Sequence, residues 1–307
     1  MPPPPEPLAR LRGAPLDVLG RIVESSNATF LVSVGDLDEP RAAADGDRDG
    51  LDGVDEWIEV GDEGDPGDEW ASGEGWPETD DEEDDAVACA DAEDEDEDGP
   101  DRAETAPDLP PGLKAVYKPL RGERPLWDFP DGLYRREVAA FELSVALGWD
   151  CVPGTVERED APLGVGSLQR FVDADFSRHY FALRDEGRVD DQLRRLCLFD
   201  ILANNTDRKG GHVLVDDEDH VWGIDNALCF STEARLRTVI WDFSGEPITD
   251  DLMDAVTALL ERGLPETVTA PLFEEECEGV LRRARVVRSA RQYPHDPTGR
   301  AIPWPLL

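Results

Sequence analysis

The sequence predicts an α+β chain of two lobes, strand-rich first and helix-rich afterwards. Short runs of β-branched and aromatic residues cluster before residue 172, long apolar periodicities of 3.6 residues dominate after it, and one helical pattern stands near the junction.

Taken in order, residues 1–15 (MPPPPEPLARLRGAP) read as a disordered Pro-rich lead. The small lobe then spans 16–172. In GRIVESSNATFLVSV, residues 20–34, the runs Arg21-Ile22-Val23 and Thr29-Phe30-Leu31-Val32 flank Ser25-Ser26-Asn27-Ala28, which is hairpin chemistry. An acidic insert, 36–112, interrupts the lobe. Its residues 36–108 hold 33 acidic side chains against three basic ones, Arg41, Arg48 and Arg102. Charges this dense repel one another and leave too little apolar surface to offset chain entropy, so the insert is expected to be disordered. Trp57, Trp70 and Trp76 punctuate it, and spaced aromatics among acids would suit a basic protein partner.

Order resumes at Leu113. Lys114-Ala115-Val116-Tyr117-Lys118-Pro119 reads as a strand stopped by its proline, and residues 134–147 (YRREVAAFELSVAL) as a helix ended by Gly148. Strands follow at 152–156 and 166–172. The large lobe, 173–295, opens with a helix over 190–203 that breaks at Asn204-Asn205. A hairpin of His212–Val215 and Val221–Ile224 turns at Asp216-Asp217-Glu218-Asp219. Helices over 250–262 and 272–290 close the lobe, the second with Arg282, Arg283, Arg285 and Arg288, and 296–307 is a tail.

Across 307 residues, 71 Asp and Glu stand against 30 Lys and Arg, a net charge of −41. That balance excludes a nucleic-acid binder working through a broad basic face. Most of the acidity belongs to the insert, and the other 234 residues are mildly acidic at −11. The five scattered cysteines form no Cys-x-x-Cys, which suits reduced thiols in a cytoplasm. No apolar run approaches the roughly 18 residues of a membrane span, so no transmembrane segment is expected. The first residues lack the basic and apolar regions of a secretory signal.

The chemistry concentrates in residues 200–230, DILANNTDRKGGHVLVDDEDHVWGIDNALCF. Asp207-Arg208 follows a buried helix, two short strands come next, and Asp225 stands at the end of the second. Phosphoryl transfer from Mg·ATP needs one carboxylate to orient the attacking hydroxyl and another to hold metal against the phosphates.

These residues carry a resemblance. Asp207-Arg208-Lys209-Gly210-Gly211-His212 resembles a catalytic Asp-Arg-His-x-x-Asn loop, and Gly223-Ile224-Asp225-Asn226 an Ile-Asp-Phe-Gly metal motif. The chain is thus similar to the protein-kinase-like superfamily in its phosphatidylinositol 3-/4-kinase-related form, and to actinobacterial proteins of that kind, over roughly 16–35 and 113–262. The resemblance implies a two-lobed protein-kinase-like fold and an ATP- and metal-dependent kinase, with Mg²⁺ or Mn²⁺. It implies Asp207 and Arg208 as catalytic, and Lys118, Glu137, Ser25, Ser26 and Gln169 as nucleotide-binding. Glu142 shares the helix of Glu137 and could hold Lys118 instead. Asp225, Asn226 and His212 are the implied metal ligands. His212 occupies the position of the family's metal-binding Asn, and Asn226-Ala227 replaces Phe-Gly, so Asn204 or Asn205 could serve as substitute ligands. The acceptor is unspecified. Alternatives are a catalytically degenerate kinase-like scaffold that binds a basic partner through its insert, and a protein AMP transferase of the same fold.

Overall fold

The computed structural model describes residues 5–22, 27–39, 111–296 and 299–307. The expectations for Ser25, Ser26 and nearly all of the acidic insert therefore lie outside the described residues.

The chain opens with a helix where a disordered lead is expected. In α1, Pro5–Gly13, proline is tolerated in the first turn because its missing N–H would lack an intrahelical partner anyway. Leu11 and, just beyond the helix, Ala14 are fully buried. The Arg158 guanidinium fastens this end, donating from Nη1 to the carbonyl oxygens of Leu11 (2.7 Å) and Ala14 (3.2 Å).

The small lobe is a five-stranded antiparallel sheet in the order β1-β2-β3-β5-β4. Its strands are β1 Leu16–Arg21, β2 Phe30–Val34, β3 Leu113–Pro119, β4 Thr155–Arg158 and β5 Gly166–Arg170. β1 begins before the expected 21–23 run, and its pairing carries an irregularity between Val18 and Gly20. Alternation sorts the faces: Phe30, Val32, Ala115 and Tyr117 are buried, which puts Lys118 on the opposite face of β3. β5 passes very close here, since a Cβ on Gly166 would stand 2.3 Å from the Lys118 carbonyl oxygen.

Helix α2, Tyr134–Leu147, stands between the sheet and the large lobe. The Glu123 carboxylate caps its start, accepting the N–H groups of Gly132, Leu133 and Tyr134 at 3.1, 2.8 and 2.7 Å. Gly148 ends it at φ 70°, where a side chain would be strained.

The large lobe contains α3 Tyr180–Glu186, α4 Asp190–Ala203, β6 Val213–Val215, β7 Val221–Gly223, α5 Asp250–Arg262, α6 Glu266–Thr269 and α7 Glu274–Ala290. α3 and α6 are too short to announce themselves by periodicity. One core includes Phe141 and Leu143 of α2, Leu193 and Phe199 of α4, and Val256 and Val280 of the closing helices. A buried Arg136–Glu276 ion pair ties α2 to α7. The tail is tied back at two points: Thr238 N–H donates to the Ala301 carbonyl (3.2 Å) and Gly210 N–H to that of Leu306 (2.7 Å). The whole is an α+β architecture in which a five-stranded antiparallel sheet is followed by a helix-rich part. Among the described residues no helix is long and apolar enough to cross a membrane.

Candidate active site

The site is built where β3, the start of α2 and the end of β7 meet. Lys118 extends its ammonium to Glu137 Oε1 at 2.5 Å and to Asp225 Oδ1 at 2.7 Å. Burial opposes a charged amine, yet the Asp225 and Glu137 carboxylates outweigh it and raise the Lys118 pKa. The same ammonium lowers the Asp225 pKa, so that carboxylate is ionised at neutral pH. Glu137 is almost fully buried in the first turn of α2, and its Oε2 accepts the Asn226 N–H at 3.0 Å. Glu142, the other candidate, instead faces Arg12 at 4.0 Å. Asp225 sits at φ 53°, a left-handed conformation that aspartate tolerates better than most residues.

The loop after α4 brings up the second carboxylate. Asp207 receives its own backbone support from Asn205, whose Oδ1 accepts the Asp207 N–H at 2.9 Å. Its side chain is about a quarter exposed and lies 3.3 Å from Lys209 Nζ. Burial raises the Asp207 pKa, and Lys209 pulls it back. Lys209 was not singled out from the sequence. Its position two residues after Asp207, in the same loop, was the available signal.

Arg208, expected as catalytic, does not reach the open cleft. It is fully buried and gives its guanidinium to Asp200 (2.9 Å), to the Ile224 carbonyl (2.5 Å) and to Asn226 Oδ1 (2.7 Å). It locks the loop to α4 and to the end of β7. Asp200, an acid on the apolar face of α4, was the missed partner, and Thr238 Oγ1 also donates to it at 3.3 Å. The Asn226 expectation meets the same contacts: the side chain is fully buried, with its amide oxygen on Arg208 and its Nδ2 on the Gly223 carbonyl, and so it turns away from the open cleft. Asn204 and Asn205 are also buried and bonded within the protein. Asn204 Nδ2 donates to the carbonyls of Ser231 and Glu233, and Asn205 bridges Asp200 and Asp207.

His212 remains. Its Nδ1 lies 3.0 Å from the Asp207 carbonyl, which can only accept, and 3.4 Å from the Lys209 N–H; the shorter contact assigns the proton to Nδ1. Nε2 then presents a lone pair 3.5 Å from Asp225 Oδ2. Burial pushes the His212 pKa down to about 4 against the pull of Asp225, so the ring is neutral at pH 7. Among the described residues no group of three or more His, Cys, Asp or Glu forms a closed metal cage. One carboxylate and one neutral imidazole fit an open site of the kind completed by phosphate oxygens and water, and the nitrogen favours a softer ion than Mg²⁺.

Gln169, expected at the hinge through its backbone groups, is buried within the sheet, and its side chain donates from Nε2 to Thr155 Oγ1 at 2.9 Å. Beyond it, Val172, Leu214 and Trp222 form a small buried cluster with partly buried Ile224 against it.

The chain is 39% identical over 232 residues to the Mycobacterium tuberculosis protein Rv2133c, an alignment covering 64% of this chain and 83% of that protein. No family profile matches it. Among solved structures, a Helicobacter pylori proinflammatory kinase, CtkA, aligns at 13% identity and a TM-score of 0.35, covering 60% of this chain and 86% of that one. The Golgi casein kinase with Mn/ADP bound aligns at 14% and 0.35, covering 61% and 72%.

Proposed function

The chain belongs to the family of the Mycobacterium tuberculosis protein Rv2133c, and from that premise and the geometry of its cleft we propose that it is an ATP- and divalent-metal-dependent phosphotransferase acting on a hydroxyl. The observation that carries this reading is the Lys118 ammonium held between Glu137 and Asp225, three residues from three separate elements. A lysine fixed by two carboxylates is costly to assemble and is suited to receive phosphate oxygens once Asp225 turns to a cation. In this reading Lys118 binds phosphates, Glu137 positions Lys118, and Asp207 orients the acceptor hydroxyl. Lys209 screens the charge that develops between Asp207 and the transferred group. Asp225 and His212 would hold the divalent ion, which supplies neutralising charge at the phosphates. Ser25 and Ser26 retain the proposed phosphate-loop role on the sequence motif alone. The finer resemblance, to phosphatidylinositol 3-/4-kinases, rests on the degenerate loop motifs and leaves the acceptor open.

Thermal unfolding tests the binding half. At ATP concentrations about 100-fold above the dissociation constant, with Mg²⁺ or Mn²⁺, mass action stabilises the fold by about 2.7 kcal/mol, a rise of roughly 5–10 °C. Lys118→Met and Asp225→Ala should abolish the rise. No rise with either metal sinks the reading. The chemical half is tested by Asp207→Asn, which should lower phosphate transfer by about 10²–10⁴ while leaving the nucleotide-driven stabilisation intact.

A further inference from the structure

Behind the loop that carries Asp207 lies a cavity of about 1070 Å³ whose walls include Asn204, Arg237 and Trp241 on one side and Arg282 and Arg283 of α7 on the other. The loop and the Arg237 segment are joined by backbone: Arg237 N–H donates to the Asn205 carbonyl at 2.9 Å, and Arg208 N–H to that of Arg237 at 3.0 Å. The cavity wall therefore brackets Asp207 in sequence and is rigidly tied to it.

The charge in this cavity is unusual for so acidic a chain. Arg235, also in the wall, is neutralised: it meets Asp128 at 2.7 Å and Glu233 at 2.7 Å. Among the described residues, Arg237, Arg282 and Arg283 have no carboxylate partner. Arg282 reaches only the Thr232 carbonyl at 3.3 Å, and Arg283 donates from Nε to the Leu202 carbonyl at 2.8 Å. The Arg283 Nη2 is buried without any hydrogen-bond partner. Burial, then the neighbouring Arg282, pull the Arg283 pKa down to about 10, which still leaves it charged at pH 7. Arg237 and Arg282 are exposed, so theirs are the guanidiniums that an incoming anion can reach.

We propose that this cavity binds an acidic polypeptide segment, so that the acceptor is a hydroxyl on a protein chain flanked by carboxylates; the acceptor half rests on the phosphotransferase reading. Three features favour a polypeptide over a small phosphorylated molecule. The cavity is at or above the roughly 300–1,000 Å³ of typical small-molecule sites. Its unpaired arginines stand on two separate elements, which suits carboxylates spaced along a chain better than one compact phosphate. Trp127, 87% exposed at the rim with the Arg235 guanidinium 5.1 Å from its ring centre, adds apolar contact surface of the kind peptides use. The overall charge of −41 does not forbid this, because it is concentrated in residues 36–108 and is screened over about 8 Å at physiological salt.

Fluorescence anisotropy on the full chain, without nucleotide, tests the cavity. The probes are a labelled decapeptide with one serine among glutamates, the same peptide with lysines in place of the glutamates, and inorganic pyrophosphate as competitor. The acidic peptide should bind at least tenfold more tightly than the lysine one, and Arg237→Glu with Arg282→Glu should weaken it at least tenfold. Both positions are exposed, so the fold should survive; Arg237→Gln with Arg282→Gln gives a milder, same-direction loss if charge reversal disturbs folding. Equal binding of the two peptides, or unchanged affinity in a double variant that melts normally, overturns the proposal. So does pyrophosphate binding more tightly than the acidic peptide with the same sensitivity to the arginine variants. No turnover is needed for this readout, so phosphate transfer can fail while the cavity assignment stands, and ATP-driven stabilisation can persist while that assignment falls.

Discussion

At the scale of single residues, the site is governed by who satisfies whom. Arg208 and Asp200 are both fully buried and hydrogen-bonded to each other, and Arg208 reaches on to Ile224 and Asn226. Removing one member strands a charge in low dielectric, so Arg208→Leu should cost about 3–5 kcal/mol in urea unfolding. A loss under about 1 kcal/mol would show that the pair does not hold the loop. His212 permits a different test. Its Nε2 lies 3.5 Å from Asp225 Oδ2 and, unlike the Lys118 ammonium, can offer a lone pair; nitrogen donors favour Mn²⁺ over Mg²⁺. His212→Asn replaces it with an amide oxygen, so the stabilisation by ATP with Mn²⁺ should fall relative to that with Mg²⁺. An unchanged ratio would remove His212 from the metal's surroundings.

At the scale of elements, the active-site lysine depends on a close approach between two strands. Gly166 of β5 pairs with Pro119, and an added Cβ would meet backbone atoms of Lys118 and Pro119 at 2.3 and 2.7 Å. These are not flexible side-chain ends, so β3 itself must move. Gly166→Ala should destabilise the fold by about 1–3 kcal/mol. It should also shrink the ATP-dependent thermal shift, because Lys118 is displaced from Glu137. Full retention of that shift would mean that the sheet absorbs the methyl elsewhere. The long helices α2 and α4 follow directly from their apolar spacing and their glycine or asparagine ends. Helix α1 does not: its few apolar residues follow a run of prolines, and what orders it is Arg158, more than 140 residues away.

At the scale of the whole molecule, the acidic insert is placed by strand register. Val34 at the end of β2 pairs with Leu113 at the start of β3, so the intervening chain leaves and returns at one point of the sheet. The cost of closing such a connection rises only by about 0.6 kcal/mol per doubling of its length. Deleting 45–108 shortens it from roughly 80 residues to about 14. That should raise stability by only about 1–2 kcal/mol and leave the ATP-dependent shift unchanged. Loss of folding, or of the shift, would show that the insert serves the cleft directly.

By itself the sequence determined the division into a strand-rich and a helix-rich lobe, the four longest helices and the strand of Lys118, because period and end signals are local properties. It also pointed to Lys118, Glu137, Asp207, His212 and Asp225, whose spacing between elements follows chain order. Only the tertiary structure decided between Glu137 and Glu142 for Lys118, and turned Arg208, Asn226, Asn204, Asn205 and Gln169 inward to bonds within the protein. Only it gathered Arg237, Arg282 and Arg283 around one cavity. The reason is the same in each case: whether a polar side chain meets solvent, a ligand or another residue depends on which distant segment packs against it, and no local pattern encodes that neighbour.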